Sequence, residues 1–268
     1  KVTVIEALDR VLPNEDKEAS ALIERLYKRR GIDVLTGARL EKATVGKKSV
    51  KLEIKTKDGK TETIEAERVL SAVGRAPIID DIGLDKAGVK TENGFIVVDE
   101  FMRTSAEGVY AIGDCARPPL LAHKASHEGV VAAETIAGIA EQGVDYSNIP
   151  SVTYCHPEVA SVGLTEEQAK EQGLEIEVGK FPFSANGRAR TAGQTDGFVK
   201  IIRDKKYSEL LGAHIVGPSA SEMIAEFVVA RNLETTVEEI ERSIHPHPTL
   251  SETLAEAALD SLGRVIHM

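Results

Sequence analysis

Tryptophan is absent from the 268 residues, and all aromatics together make up only 4% of the chain. A face that stacks bases on aromatic rings between basic side chains therefore has little to be built from. Basic residues are also in deficit: 33 Lys and Arg stand against 43 Asp and Glu, a net charge of -10, which argues against a polyanionic partner such as nucleic acid. Cysteine is nearly missing. Cys115 and Cys155 are the only two and lie far apart, so neither a disulfide scaffold nor a close-spaced redox pair can be drawn from this stretch, and a reducing, cytoplasmic compartment is expected. No apolar run approaches the roughly 20 residues that carry a helix across a bilayer. The opening KVTVIEALDR alternates like a strand, unlike an export signal with its charged and then apolar segments. It also lacks a methionine, and the natural protein is expected to extend upstream.

What is present is a hydrophobic content of 42%, enough for a sizeable core and, at this length, about two domains. Val2 to Ile5 reads as a strand ending at Glu6. Ala19, Leu22, Ile23, Leu26 and Tyr27 then recur at helical spacing within Glu15 to Arg30, and a strand follows from Ile32. Val50 to Thr56 and Thr61 to Ala66 flank Asp58-Gly59, a strong hairpin signal. Further strands are expected at Arg68 to Val73 and Gly108 to Asp114, and an alanine-rich helix at Leu121 to Ile139. The polar connector Gly143 to Pro150 is the best candidate boundary. Beyond it come strands at Ser151 to Tyr154, Val159 to Val162 and Glu175 to Phe183, a capped helix at Thr165 to Gln172, a hairpin of Phe198 to Arg203 with Leu210 to Val216, and helices at Ser219 to Arg231, Val237 to Glu241 and Ser251 to Leu262. The first part thus reads as α/β and the last as α+β.

Several residues could carry chemistry. A carboxylate closing a strand of a dinucleotide fold accepts from both ribose hydroxyls and repels a 2′-phosphate, so Glu6 would favour NAD over NADP; as a bare strand end it reads first as a solvated terminus. Gly113 allows close backbone approach, Asp114 can accept from a sugar-like hydroxyl, and the start of the helix at Leu121 offers unpaired N–H groups. His123, His127 and Cys115 lack a fourth ligand at zinc-site spacing, and no metal is expected. Cys155 and His156 are sequence neighbours, which on a strand point to opposite faces. In Ser243 to Ala258, SIHPHPTLSETLAEAA, two prolines stiffen the loop that holds His245 and His247, and Thr249 with Glu252 has the spacing of a capping box. His247 is either an ordinary loop histidine beside a capped helix or a base oriented by Glu252.

The ordered series KVTVIEALDRVLP, SAVGRAP, VYAIGDCA with LAHKASHEG, TYCHPEVASVGLTEEQAK, FPFSANGRA, GAHIVGP and HPHPTLSE resembles the C-terminal portion of the flavoprotein disulfide reductases, in particular the branch that acts on dihydrolipoyl groups. The resemblance implies part of a Rossmann-type NAD domain at 1–77, a returning segment of the FAD domain at 78–147 and an α+β dimerisation domain at 148–268. It implies FAD and NAD as cofactors, with Glu6, Ala72, Val73, Gly74 and Arg75 on NAD. Asp114 would hold the ribityl chain of FAD, and Leu121, Ala122 and His123 would present backbone to the flavin. His247 and Glu252 would form an acid-base dyad that projects into the active site of the other protomer in a homodimer. A lipoyl-bearing acyltransferase of a 2-oxoacid dehydrogenase complex is the implied partner, with neither nucleic acid nor membrane. Pro246 and Cys115 depart from the usual pattern. The family's flavin domain, redox cysteine pair and glycine-rich turn are not in this stretch, so by itself it is expected to be inactive. The alternatives are another flavoprotein disulfide reductase or a non-catalytic dimerisation module.

Overall fold

The apolar face spaced along Ala19, Leu22, Ile23 and Leu26 forms helix α1 (Lys17–Arg29), which buries it. Asp16 caps the start by accepting from the Glu18 N–H at 3.0 Å. Strand β1 (Thr3–Glu6) precedes α1, and β2 (Asp33–Thr36) follows and pairs with β1 in parallel from Thr3↔Asp33 to Glu6↔Thr36, a β–α–β crossover. The computed structural model describes residues 1–268 and divides into two units, Lys1–Val69 with Ser147–Met268, and Leu70–Tyr146. The expected α/β and α+β classes are both present.

In the first unit, β3 (Arg39–Val45), β4 (Val50–Lys55) and β5 (Thr61–Ala66) make an antiparallel sheet. The β4–β5 turn falls at Asp58-Gly59 as expected. Strand β3 was not expected, because every one of its residues is exposed and no alternating burial marks it.

The same unit holds β8 (Ser151–Thr153), β9 (Glu158–Gly163), α3 (Glu166–Glu171), β10 (Ile176–Pro182), a short α4 (Gly187–Thr191), β11 (Phe198–Asp204), β12 (Leu210–Gly217), α5 (Ala220–Asn232), α6 (Val237–Arg242) and α7 (Glu252–Ser261). The strands form one antiparallel sheet in the order β10-β11-β12-β9-β8. Helices α5, α6 and α7 cover one face around Phe181, Phe183, Ile201, Ile215 and Phe227. Helix α1 covers the other against Val159, Phe198 and Val216. With both faces covered, Phe198 to Ile202 are all buried, Lys200 included, instead of alternating. Helix α7 crosses β10 so closely that a Cβ on Gly179 would stand 2.0 Å from the Ala257 carbonyl oxygen. Asp260 then accepts from the Lys180 N–H at 2.8 Å and fixes α7 on the sheet.

The second unit has a minimal hairpin, β6 (Thr91–Glu92) and β7 (Phe95–Ile96), turning at Asn93-Gly94. A 3-10 turn, Gly113–Cys115, precedes helix α2 (Ala122–Ala137). Its core is small, built from Val89, Ile96, Ala111 and Ala116 on one side and Met102, Val131 and Ala132 on the other. Two expected strands are not formed. Arg68 to Val73 is coil, with Leu70 90% and Val73 95% exposed, because no neighbouring strand pairs with it. Gly108 to Asp114 makes only an isolated bridge from Tyr110 to Arg103 before the chain tightens into the 3-10 turn. No helix is long and apolar enough to cross a membrane.

Candidate functional site

Helix α7 starts later than the capping-box spacing suggests. Ser251 takes the N-cap position, with no side-chain cap, and Glu252 is the first helical residue. Only half of the box forms: Thr249 N–H donates to Glu252 Oε2 at 2.8 Å, while Thr249 Oγ1 donates back to the Pro246 carbonyl at 2.7 Å. The second Glu252 oxygen, Oε1, lies 2.8 Å from His247 Nδ1. Both carboxylate oxygens are therefore committed, one to the loop backbone and one to the ring. With Nδ1–H donating, Nε2 is the basic nitrogen of His247 and points away from its orienter. The His247 side chain is 78% exposed, so that nitrogen is open to a reactant. Burial pushes the Glu252 carboxyl up, but the Thr249 N–H and the His247 ring outweigh it and hold it below the usual range. An ionised Glu252 can fix the tautomer of His247 and stabilise its cation.

His245 is built differently. Its Nε2 lies 2.8 Å from Glu226 Oε1 on α5 and its Nδ1 2.9 Å from the Ser243 carbonyl oxygen. The Glu226 hydrogen bond raises its basicity. With both nitrogens engaged it fastens the proline loop to α5 and leaves proton exchange to His247. A third pair joins His267 to Glu256, one helical turn beyond Glu252, and Glu256 Oε2 also accepts from the Ile266 N–H at 3.1 Å. His245, His247, His267, Glu252 and Glu256 line one cavity of about 290 Å³, together with Phe181. The His267–Glu256 pair escapes the sequence pattern; the only hint is a second glutamate four residues after Glu252. A larger recess of about 510 Å³ along Val34 to Thr36 and Thr56 to Asp58 contains no histidine or cysteine and offers no acid-base pair.

The remaining residues singled out by sequence fall in two places. Glu6 closes β1, half-buried, and its Oε1 accepts from the Leu8 N–H at 2.8 Å. Ala72, Val73, Gly74 and Arg75 are exposed coil of the other unit, Gly74 at φ +116. Within that unit Arg75 Nη1 comes to 3.6 Å from Asp114 Oδ2 and its other terminal nitrogen donates to the Leu120 carbonyl. Arg75 thus stands beside the residue assigned to FAD. Asp114 sits exposed in the 3-10 turn after Gly113, whose φ of +77 suits glycine. Leu121, extended, precedes Ala122 and His123 at the start of α2, where there is neither a side-chain cap nor an acidic residue in the first turn. A helix start of that kind suits an electron-rich ring edge, and with Asp114 beside it as an acceptor the set fits a flavin and its polyol chain.

Each cysteine is tied to a backbone carbonyl. Cys115 Sγ donates to the Ile112 carbonyl at 3.2 Å and Cys155 Sγ to the Pro157 carbonyl at 3.0 Å. Burial pushes the Cys155 thiol up, away from the thiolate. No group of three or more His, Cys, Asp or Glu side chains is arranged to hold a metal ion.

Comparison with known proteins converges. The family model described as pyridine nucleotide-disulphide oxidoreductase matches residues 1–129, and that of the same family's dimerisation domain matches residues 149–258. The chain is 49% identical to a dihydrolipoyl dehydrogenase of Rhizobium etli over 99% of its own length and 56% of the relative. It is 46% identical to that of Bacillus subtilis over 100% of its length and 56% of the relative. Among solved structures, LpdA from Mycobacterium tuberculosis superposes with a TM-score of 0.88 at 30% identity, covering 96% of this chain and 55% of that one. The HOCl-induced flavoprotein disulfide reductase RclA of Escherichia coli, as its Cu(II) complex, superposes with a TM-score of 0.89 at 27% identity, over 96% and 58% respectively. The chain therefore spans a little over half the length of these relatives.

Proposed function

The chain belongs to the pyridine nucleotide-disulphide oxidoreductase family, and on that premise we propose that it forms part of a dihydrolipoyl dehydrogenase, to which it contributes the acid-base dyad of the thiol site. The observation that carries the reading is the His247–Glu252 contact of 2.8 Å, with Glu252 tied to the loop through the Thr249 N–H. A dihydrolipoyl thiol attacks a disulfide only as its thiolate. His247 Nε2 would take the thiol proton, and Glu252 would balance the imidazolium until the proton is passed to the departing sulfur. Cys115 and Cys155 each stand alone, so the disulfide that is attacked would be supplied by residues outside this chain. Asp114 with the start of α2 would hold FAD, and the Glu6 carboxylate at the end of β1 would accept from the ribose hydroxyls of NAD and disfavour a 2′-phosphate. Bound FAD would supply the two-electron acceptor between the thiols and NAD.

The protein would work as a homodimer, in keeping with the dimerisation-domain match, with the dyad of one protomer serving its partner. It would act in the cytoplasm on the lipoyl-bearing acyltransferase of a 2-oxoacid dehydrogenase complex. The test is spectroscopic. Purified full-length protein is expected to show a flavin absorption band that dihydrolipoamide bleaches and that NAD restores faster than NADP does. A protein without the band, or a band indifferent to the dithiol, would overturn the assignment.

A further inference from the structure

Helix α2 carries Lys124 and Glu128 four residues apart, 3.1 Å from each other, with both side chains 0% exposed. A buried ion pair is a poor way to gain stability, because desolvation cancels most of the attraction and apolar side chains of similar volume serve as well. This pair spends its remaining hydrogen-bonding capacity on one piece of backbone. Glu128 Oε2 accepts from the Gly113 N–H at 2.7 Å, and Lys124 Nζ donates to the Gly113 carbonyl at 3.0 Å and to the Arg117 carbonyl at 2.7 Å. Both polar groups of Gly113 are thus gripped from the same helix. The other Glu128 oxygen, Oε1, accepts from the Tyr146 hydroxyl at 2.5 Å, and the Arg117 guanidinium lies over the Tyr146 ring, 3.7 Å from its centre. Burial and the neighbouring Glu128 hold the Tyr146 phenol well above its usual range, so it remains a donor. All three Lys124 donors and both Glu128 oxygens are satisfied, and such a complete network fixes one geometry.

We infer that the Lys124–Glu128–Tyr146 network is a positioning element for the flavin: by clamping Gly113 and Arg117 it sets the turn that presents Asp114, and it ties that turn to the helix start at Leu121. The inference rests on the flavin reading of Asp114 given above. Its test uses full-length protein stripped of flavin and titrated with FAD, binding being followed by flavin fluorescence. The neutral, shape-conserving double variant Lys124→Met/Glu128→Gln avoids leaving a lone buried charge. It is expected to lower the thermal unfolding midpoint modestly, because the Gly113 and Arg117 carbonyls lose their donor, while FAD binds roughly 10–100-fold more weakly, the usual cost of removing a residue that orients a ligand-holding group. Tyr146→Phe, which removes only the outer hydrogen bond, should weaken FAD by a few-fold. As a control, Ile96→Val thins the core of the same unit and should lower the midpoint without weakening FAD. FAD affinity within two-fold of the unmodified protein in the double variant would refute the positioning role, as would a loss no larger than in an equally destabilised Ile96→Val. If the unmodified protein takes up no FAD, the functional reading fails first and this inference falls with it.

Discussion

In the full-length protein, His247→Gln is expected to slow NAD reduction by dihydrolipoamide roughly 10²- to 10⁴-fold, the usual value of a positioned acid-base group. Glutamine can still donate from its amide nitrogen to Glu252, so the loop is expected to keep its shape. What it cannot do is accept a thiol proton and give it back. The side chain is 78% exposed, so the loss should appear in turnover and leave stability largely unaffected. Steady-state kinetics with unchanged unfolding would show this pattern. Unaltered turnover would make His247 an ordinary loop histidine beside a half-formed cap.

Lys200→Met is expected to destabilise the protein by about 3–5 kcal/mol, the cost of removing one partner from a buried ion pair. Lys200 is 1% exposed in β11 and reaches Asp16 at 3.1 Å, Glu18 at 2.9 Å and Glu166 at 2.6 Å. It pins the cap of α1 and the first turn of α3 to the central sheet. Asp16, equally buried, would lose the cation that both of its oxygens share; Glu18 and Glu166 are more exposed, and water would take over much of their solvation. Burial pushes the Asp16 carboxyl up, but His214 and Lys200 pull it down further, so it titrates below the usual carboxylate range. A carboxylate depressed in the folded state stabilises above its unfolded pKa, near 4, and that contribution is lost as pH falls through the lower folded value. The variant should therefore show a lower urea midpoint at neutral pH and a weaker loss on acidification. A change below about 1 kcal/mol would place Lys200 among ordinary surface pairs.

How much of this the sequence disclosed depends on whether the determining contacts are local. Helix α1 declares itself through spacing, and the β4–β5 hairpin through Asp58-Gly59. The start of α7 was displaced because Thr249 and Glu252 match a capping box at the level of residue type, whereas Pro246 draws the Thr249 hydroxyl away. Arg68 to Val73 has the composition of a buried strand, and composition cannot say whether a neighbouring strand is there to pair with it. Strand β3 lacks any buried face to reveal it.

The site divides in the same way. His247 and Glu252 are five residues apart and could be paired by eye. Glu256 and His267 meet only because the chain doubles back after α7. Lys124 and Glu128, at i and i+4 on a helix, look like a solvated surface pair and prove to be wholly buried. Lys200 sits in a strand pattern, with its carboxylates far away in the sequence at Asp16 and Glu166.

The central claim is that His247 and Glu252 of one protomer supply the base for the thiol site of its partner. Hybrid dimers test it most directly. One protomer carries His247→Gln, and the other retains the dyad but lacks the redox cysteines, so neither parent dimer has a complete site. If the dyad works across the two-fold axis, half of the dimers in a randomised 1:1 mixture are hybrids with one complete site each, and the mixture recovers about a quarter of the native activity. Activity no higher than that of the two parents would contradict the account.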